Sequence, residues 1–189
     1  MREIIRAIKD QDLLGTACMV VSNNRDSAAL KFAESQGIPF RHISAATEGS
    51  ELAADVAICQ AMEESGVEWI VLSGYLRKLG SLTIDRYQGR ILNIHPALLP
   101  RFGGKGMYGR RVHEAVISAG ESISGMTVHI VEGEYDSGPI LAQCQVPVIL
   151  SDTPDTLQQR IVHAEPRFFV EVLRSLAENR LAIHATKKR

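Results

Sequence analysis

Short apolar runs separated by amphipathic stretches constrain this chain more than any other feature. Thr16-Ala-Cys-Met-Val-Val21, Glu68-Trp-Ile-Val-Leu-Ser73 and Arg90-Ile-Leu-Asn-Ile-His95 each have the length and composition of a buried strand. Between them lie segments with helical spacing, from about Ser27 to Gln36 and from about Ser50 to Ser65. That alternation specifies a mostly parallel sheet flanked by helices. Ile4, Ile5 and Ile8 line one side of a first helix that Gly15 helps to end, and a short strand lies near Phe40. Residues 81–88 and 111–118 read as helices, and Pro96 to Gly109, rich in glycine and proline, as an irregular loop.

Gly125-Met-Thr-Val-His-Ile-Val131 and Ile140-Leu-Ala-Gln-Cys-Gln-Val146 read as further strands, antiparallel or mixed. A long helix is expected from about Pro154 to Asn179. Pro166 inside it should kink or break it, since a mid-helix proline costs about 3 kcal/mol. His184-Ala-Thr-Lys-Lys-Arg189 is expected to fray. Together these elements describe a Rossmann-like α/β fold, a doubly wound and mostly parallel sheet with a mixed C-terminal portion. At 189 residues the chain fits one domain over its whole length.

The strand 90–95 breaks the pattern in an informative way. Successive side chains in a strand face opposite sides, so Asn93 and His95 share one face while Leu92 and Ile94 take the other. An amide and an imidazole inside a sheet are costly unless both find partners. They stand at the strand's carboxyl end, where open α/β sheets bind ligands. Asp136, in Tyr135-Asp-Ser-Gly-Pro139, is the carboxylate that can join them, or else an ordinary turn aspartate.

Bulk properties exclude several classes. A net charge near −1 gives no electrostatic reason to expect nucleic-acid binding, which usually shows as a basic patch or stripe. Apolar runs such as Trp69-Ile-Val-Leu72 are far too short to cross a bilayer, and the first ten residues have no signal-peptide core. Cys18, Cys59 and Cys144 stand far apart, with no cysteine or histidine spacing that suggests a metal site. Cys18 and Cys59 fall in apolar contexts, which reads as inert, buried thiols, and the set implies a reducing, cytoplasmic setting.

Asn93-Ile-His-Pro-Ala-Leu-Leu-Pro100, Phe102-Gly-Gly-Lys-Gly-Met-Tyr-Gly109, Gly125-Met-Thr-Val-His129 and Tyr135-Asp-Ser-Gly-Pro139 occur in order and at similar spacing in the formyltetrahydrofolate-dependent formyltransferases. The chain resembles that family from about Arg2 to Leu181, most of all its branch acting on glycinamide ribonucleotide. The resemblance implies formyl transfer from 10-formyltetrahydrofolate, as cosubstrate, to an amine through a tetrahedral intermediate, without metal. It implies Asn93, His95 and Asp136 as the catalytic trio. Donors aimed at the developing oxyanion and a group that manages the amine's proton are what such a reaction needs. His95 donates more strongly when charged, and an adjacent Asp136 favours that charge.

The resemblance further implies Leu76, Arg77 and Leu79 on the folate side, Ile84 as a wall, and His129 near the pterin or His95; a core histidine is the alternative for His129, as a solvated surface arginine is for Arg77. Glu165 matches a glutamate that contacts ribose hydroxyls, or is a plain surface carboxylate. Lys105 reads as a ligand for phosphate or for the folate's glutamate tail, or as a solvated loop lysine. Leu99-Pro100 is expected to be cis. Glu51 stands where some relatives have an arginine near the nucleotide.

The match begins past the family's first strand and its glycine-rich phosphate loop. A central strand should then lack a neighbour, which invites association, a homodimer being one form. Formyltetrahydrofolate hydrolase and methionyl-tRNA formyltransferase share the trio and form an alternative, as does a folate-binding remnant without turnover. The hydrolase usually carries an extra N-terminal domain and the tRNA enzyme an extra C-terminal one.

Overall fold

The computed structural model describes residues 1–181, so the expected fraying of His184–Arg189 lies outside the described residues. Helix α1 (Arg2–Lys9) leads to β1 (Val20–Ser22), α2 (Ala28–Ser35) and β2 (Phe40–His42). A short α3 (Ala45–Glu48), α4 (Glu51–Glu64), β3 (Ile70–Leu72), α5 (Ser81–Arg86) and β4 (Ile91–His95) follow. The chain continues through α6 (Arg110–Ser118), β5 (Ile123–Ile130), β6 (Ile140–Pro147) and α7 (Pro154–Ala177).

β1 and β2 pair in parallel as one sheet, and β3-β4-β5-β6 form a second in that order. β3 and β4 are parallel, whereas β4/β5 and β5/β6 are antiparallel. Among the described residues, β1 and β3 are each hydrogen-bonded on one side only. The apolar run from Thr16 is paired only over Val20–Ser22, because β2 offers three residues to bond.

Side-chain alternation in β4 sorts the two faces. Leu92 and Ile94 enter a core built with Met126, Val128 and Ile130 of β5 and with Leu157, Ile161, Phe169 and Leu173 of α7. Ile91 enters a second core, with Ile58 and Met62 of α4, Ile70 of β3 and Tyr87. Asn93 and His95 therefore project from the face that carries α4 and α5. Asp55 of α4, buried, accepts from the backbone amides of Leu82 and Thr83 at 2.9 and 3.2 Å and so caps α5. Gly80 must lack a side chain there, since a Cβ would lie 2.1 Å from the Asp55 carboxyl carbon.

Of the kink or break expected at Pro166, the break does not occur, since α7 continues through it. Buried residues on both sides of the proline belong to one core, Leu157 and Ile161 before it and Phe169, Val170, Val172 and Leu173 after it. Their burial, at about 1.5–3 kcal/mol for each large side chain, outweighs the lost hydrogen bond. Thr153 caps this helix through a reciprocal bond with Thr156, and Arg160 pins it to Asp152 at 2.7 Å.

Candidate active site

The site forms where β4 ends and the loop 96–109 folds back. Register sets Asn93 opposite His129 and His95 opposite Thr127. Asp136 arrives from the segment between β5 and β6, with φ of 54°. A left-handed backbone is uncommon for a residue with a side chain, and aspartate is among those that tolerate it best.

His95 is 3% exposed. Its Nε2 lies 2.7 Å from the Phe102 carbonyl oxygen, which only an N–H can satisfy. In the neutral ring Nδ1 is then a bare acceptor, 3.4 Å from Asp136 Oδ2. His129 is ordered the same way. Its Nδ1–H donates to the Ile130 carbonyl at 2.9 Å, which leaves Nε2 to accept from the Asn93 amide at 3.1 Å. One N–H of Asn93 stays available to a ligand. Asp136 Oδ2 accepts from the Gly104 amide at 2.9 Å, and Oδ1 lies 3.5 Å from His129 Nε2.

Burial pushes the His95 pKa down, Asp136 and the Phe102 carbonyl push it up, and the net result lies below the ordinary histidine value. The expectation that Asp136 keeps His95 charged is thus reversed: desolvation outweighs one carboxylate at 3.4 Å. Burial raises the Asp136 pKa, yet the Gly104 amide, together with the His129 and His95 rings whenever they carry a proton toward it, leaves it below the ordinary carboxylate range. The site at rest holds a carboxylate beside a neutral imidazole.

His113 of α6 is a neighbour that sequence reasoning missed. It is 1% exposed, and among the described residues its Nδ1 has no hydrogen-bond partner. Burial lowers its pKa, and a charge on His95 lowers it further. Two histidines neutral in the fold and free to protonate once unfolded make stability pH-dependent. The unfolded chain binds protons from about pH 6.5 downward while these two rings resist. Their contribution is complete above that value and is lost as pH falls below it. Thermal melts from pH 7.5 to 5 should show Tm falling with pH, and less steeply in His113→Phe; a flat wild-type profile would contradict the argument.

The other expected residues divide into two groups. Arg77, Leu79 and Ile84 line one cleft with Asn93, His129 and Asp136, and Lys78 and Glu134, paired at 3.3 Å, also border it. Leu79 is mostly buried in the core behind it, whereas Leu76 is 64% exposed and outside the lining. Lys105 is exposed beside Gly104. Glu165 lies on α7 near the Met1 ammonium, which donates to Ser73 Oγ at 2.9 Å at the end of β3; burial raises its pKa. Glu51 is exposed in the first turn of α4. Leu99-Pro100 is cis, as expected.

The chain matches the formyl transferase family over residues 1–173. It is 40% identical over 181 residues to the chloroplastic phosphoribosylglycinamide formyltransferase of Arabidopsis thaliana, covering 95% of this chain and 62% of that protein. Against the phosphoribosylglycinamide formyltransferase of Escherichia coli (strain K12) identity is 32%, covering 97% of this chain and 84% of the relative. The crystal structure of glycinamide ribonucleotide transformylase 1 from Symbiobacterium toebii superposes with a TM-score of 0.89 at 33% identity, covering 97% and 84% of the two chains. The chain thus spans less than two thirds of the plant relative's length.

Proposed function

We propose, from the premise that this chain belongs to the formyl transferase family, that it transfers the formyl group of 10-formyltetrahydrofolate to the amine of glycinamide ribonucleotide. The observation that carries the reading is the convergence of Asn93, His95 and Asp136 at the carboxyl end of β4, each held by a second partner. The cosubstrate supplies an activated formyl carbon. The protein's part is to stabilise oxygen charge, to accept a proton and to keep both reactants in place.

The free N–H of Asn93 is the donor for the oxygen that gains charge. The amine's proton passes to the pair formed by His95 Nδ1 and Asp136. A neutral His95 is ready to accept it, and once charged its two N–H groups face the Asp136 carboxylate and the Phe102 carbonyl. As the bond from the formyl carbon to N10 of the folate breaks, the depressed pKa that makes His95 a poor cation at rest lets it pass the proton to the departing N10.

Cleft chemistry suits a pterin. Leu72, Leu79, Ile84 and Val131 supply apolar walls, while Asn93, His129 and Asp136 supply polar groups. Its free space is about 60 Å³, well below the roughly 300 Å³ or more of typical ligand pockets, so a bound pterin implies a wider cleft than this one. Glu165 at the ribose and Lys105 at a phosphate or glutamate tail complete the proposal, with Arg77 in the cleft lining and Leu76 on the folate side outside it. A cytoplasmic setting and a homodimer belong to the same reading; sedimentation velocity tests the dimer.

The deciding assay is formyl transfer with purified protein, 10-formyltetrahydrofolate and glycinamide ribonucleotide, beside His95→Ala. Wild-type turnover, lowered about 100- to 1000-fold in the variant, is the expected result. Folate binding without transfer would overturn it in favour of a non-catalytic folate-binding protein, and release of free formate alone in favour of hydrolysis.

A further inference from the structure

A row of polar side chains crosses three strands behind the reacting groups. His95 of β4 faces Thr127 of β5, and Thr127 faces Gln143 of β6. Directly opposed residues in antiparallel strands share a face, so Thr127 lies on the side from which His95 projects. Thr127 has no exposed surface at all. Its hydroxyl donates to the Ala97 carbonyl at 2.6 Å and accepts from the Leu99 amide at 3.0 Å and from Gln143 Nε2 at 3.0 Å. One donated and two accepted bonds exhaust a hydroxyl's capacity. Gln143 Nε2 also donates to the Leu99 carbonyl at 2.9 Å.

The chain leaving His95 is thereby tied at three backbone atoms. Its next turn carries the groups that orient the site. The Phe102 carbonyl takes the His95 Nε2–H, and the Gly104 amide holds Asp136. Contact passes directly between the two parts. A Cβ at Gly103 would stand 2.4 Å from Leu99 Cδ2 and 3.2 Å from Asp136 Cβ. Movement of Leu99 is thus felt at Gly103 and Asp136 at once.

We propose that Thr127, braced by Gln143, is a positioning residue that sets the His95 tautomer and the place of the Asp136 carboxylate by fixing the loop 97–104. It works through the backbone and touches no reacting atom. Only serine or threonine supplies the donor and both acceptor positions at that point. Valine matches threonine in shape but leaves the Leu99 amide and Ala97 carbonyl unpaired in the interior.

The turnover arm of the test rests on the proposed formyl transfer; the spectroscopic arm does not. Thr127→Val, Thr127→Ser and Gln143→Leu are compared in the full chain by kcat, KM and the imidazole proton and nitrogen resonances of His95. A misplacement on the order of 1 Å costs roughly 100-fold in rate, so Thr127→Val should lose about 100-fold in kcat with little change in KM. Its His95 Nε2 proton should exchange rapidly with solvent, and Thr127→Ser should restore both. Gln143 is exposed on the edge strand, so its variant folds even where Thr127→Val does not, and it should show the same changes in weaker form.

A His95 Nε2 proton as protected as in wild type, in Thr127→Val or, if that protein is unfolded, in Gln143→Leu, overturns the proposal. Lowered thermal stability with unchanged kcat and unchanged His95 resonances would assign Thr127 to packing alone, and also overturns it. Should the wild type fail to transfer formyl, the function reading falls while the resonances still decide the positioning role.

Discussion

Asp136→Asn should lower kcat for formyl transfer about 1000-fold, within the range for losing a group that handles the proton, while the protein stays folded. Asparagine matches aspartate in shape and is also tolerant of the left-handed backbone, here φ of 54°. Its carbonyl oxygen can still accept from the Gly104 amide. What disappears is the negative charge that opposes desolvation at His95. Without it the His95 pKa falls further, and the imidazole accepts the amine's proton less readily. Substrate KM should move little, because the carboxylate's work lies in the reacting state rather than in holding the ground state. Kinetics across pH with both substrates saturating would check this; a rate within tenfold of wild type would remove Asp136 from the proton path.

The strand pattern carried much of the architecture because its causes are local. Leu92 and Ile94 alternating with Asn93 and His95 specify which face is core, and the structure buries the first pair against α7 as that pattern requires. Ser27, Ser50 and Thr153 stand at helix starts, and each accepts from a backbone amide. Failures occur where a distant contact decides. Pro166 reads as a kink or a break, and the break is prevented by apolar residues on either side of it that share a core with β5 and β6, which no local rule can see. The apolar run from Thr16 reads as a full strand, although strand pairing also needs a partner of matching length.

The candidate site divides along the same line. Side-chain identity pointed to Asn93, His95 and Asp136, whereas the groups that orient His95 and Asp136 are main-chain atoms of Phe102 and Gly104, whose roles no residue type announces. Charge state was the least legible property. An aspartate beside a histidine suggests an ion pair, and only the depth of burial, 3% exposure for His95, reverses the sign. His113 carried a weak signal, a histidine between Val112 and Val116 on the buried side of an amphipathic helix, which equally describes an inert core residue.

Gly138→Ala should damage both stability and turnover, for a reason its neighbourhood in the sequence conceals. Ser-Gly-Pro suggests a turn that needs glycine's backbone freedom, yet Gly138 is not among the residues with positive φ. The constraint is close approach: a Cβ there would lie 1.9 Å from the Ile130 carbonyl oxygen and 2.9 Å from its carbon. A backbone atom cannot rotate aside, so the segment must lift away from β5 and strain the bond from the Ile130 amide to the Pro139 carbonyl at 2.9 Å. Overpacking of this kind costs about 3 kcal/mol, or roughly 6–12 °C in Tm for a domain of this size. Asp136 lies two residues upstream, and its contacts at 2.9–3.5 Å leave little tolerance for displacement. A loss of about 100-fold in formyl transfer should therefore accompany the lower Tm. Gly133→Ala is the matched control, since it changes the same segment where a Cβ would meet nothing within 4 Å. Equal melting temperatures and equal rates for the two variants would show that the approach to Ile130 does not place Asp136.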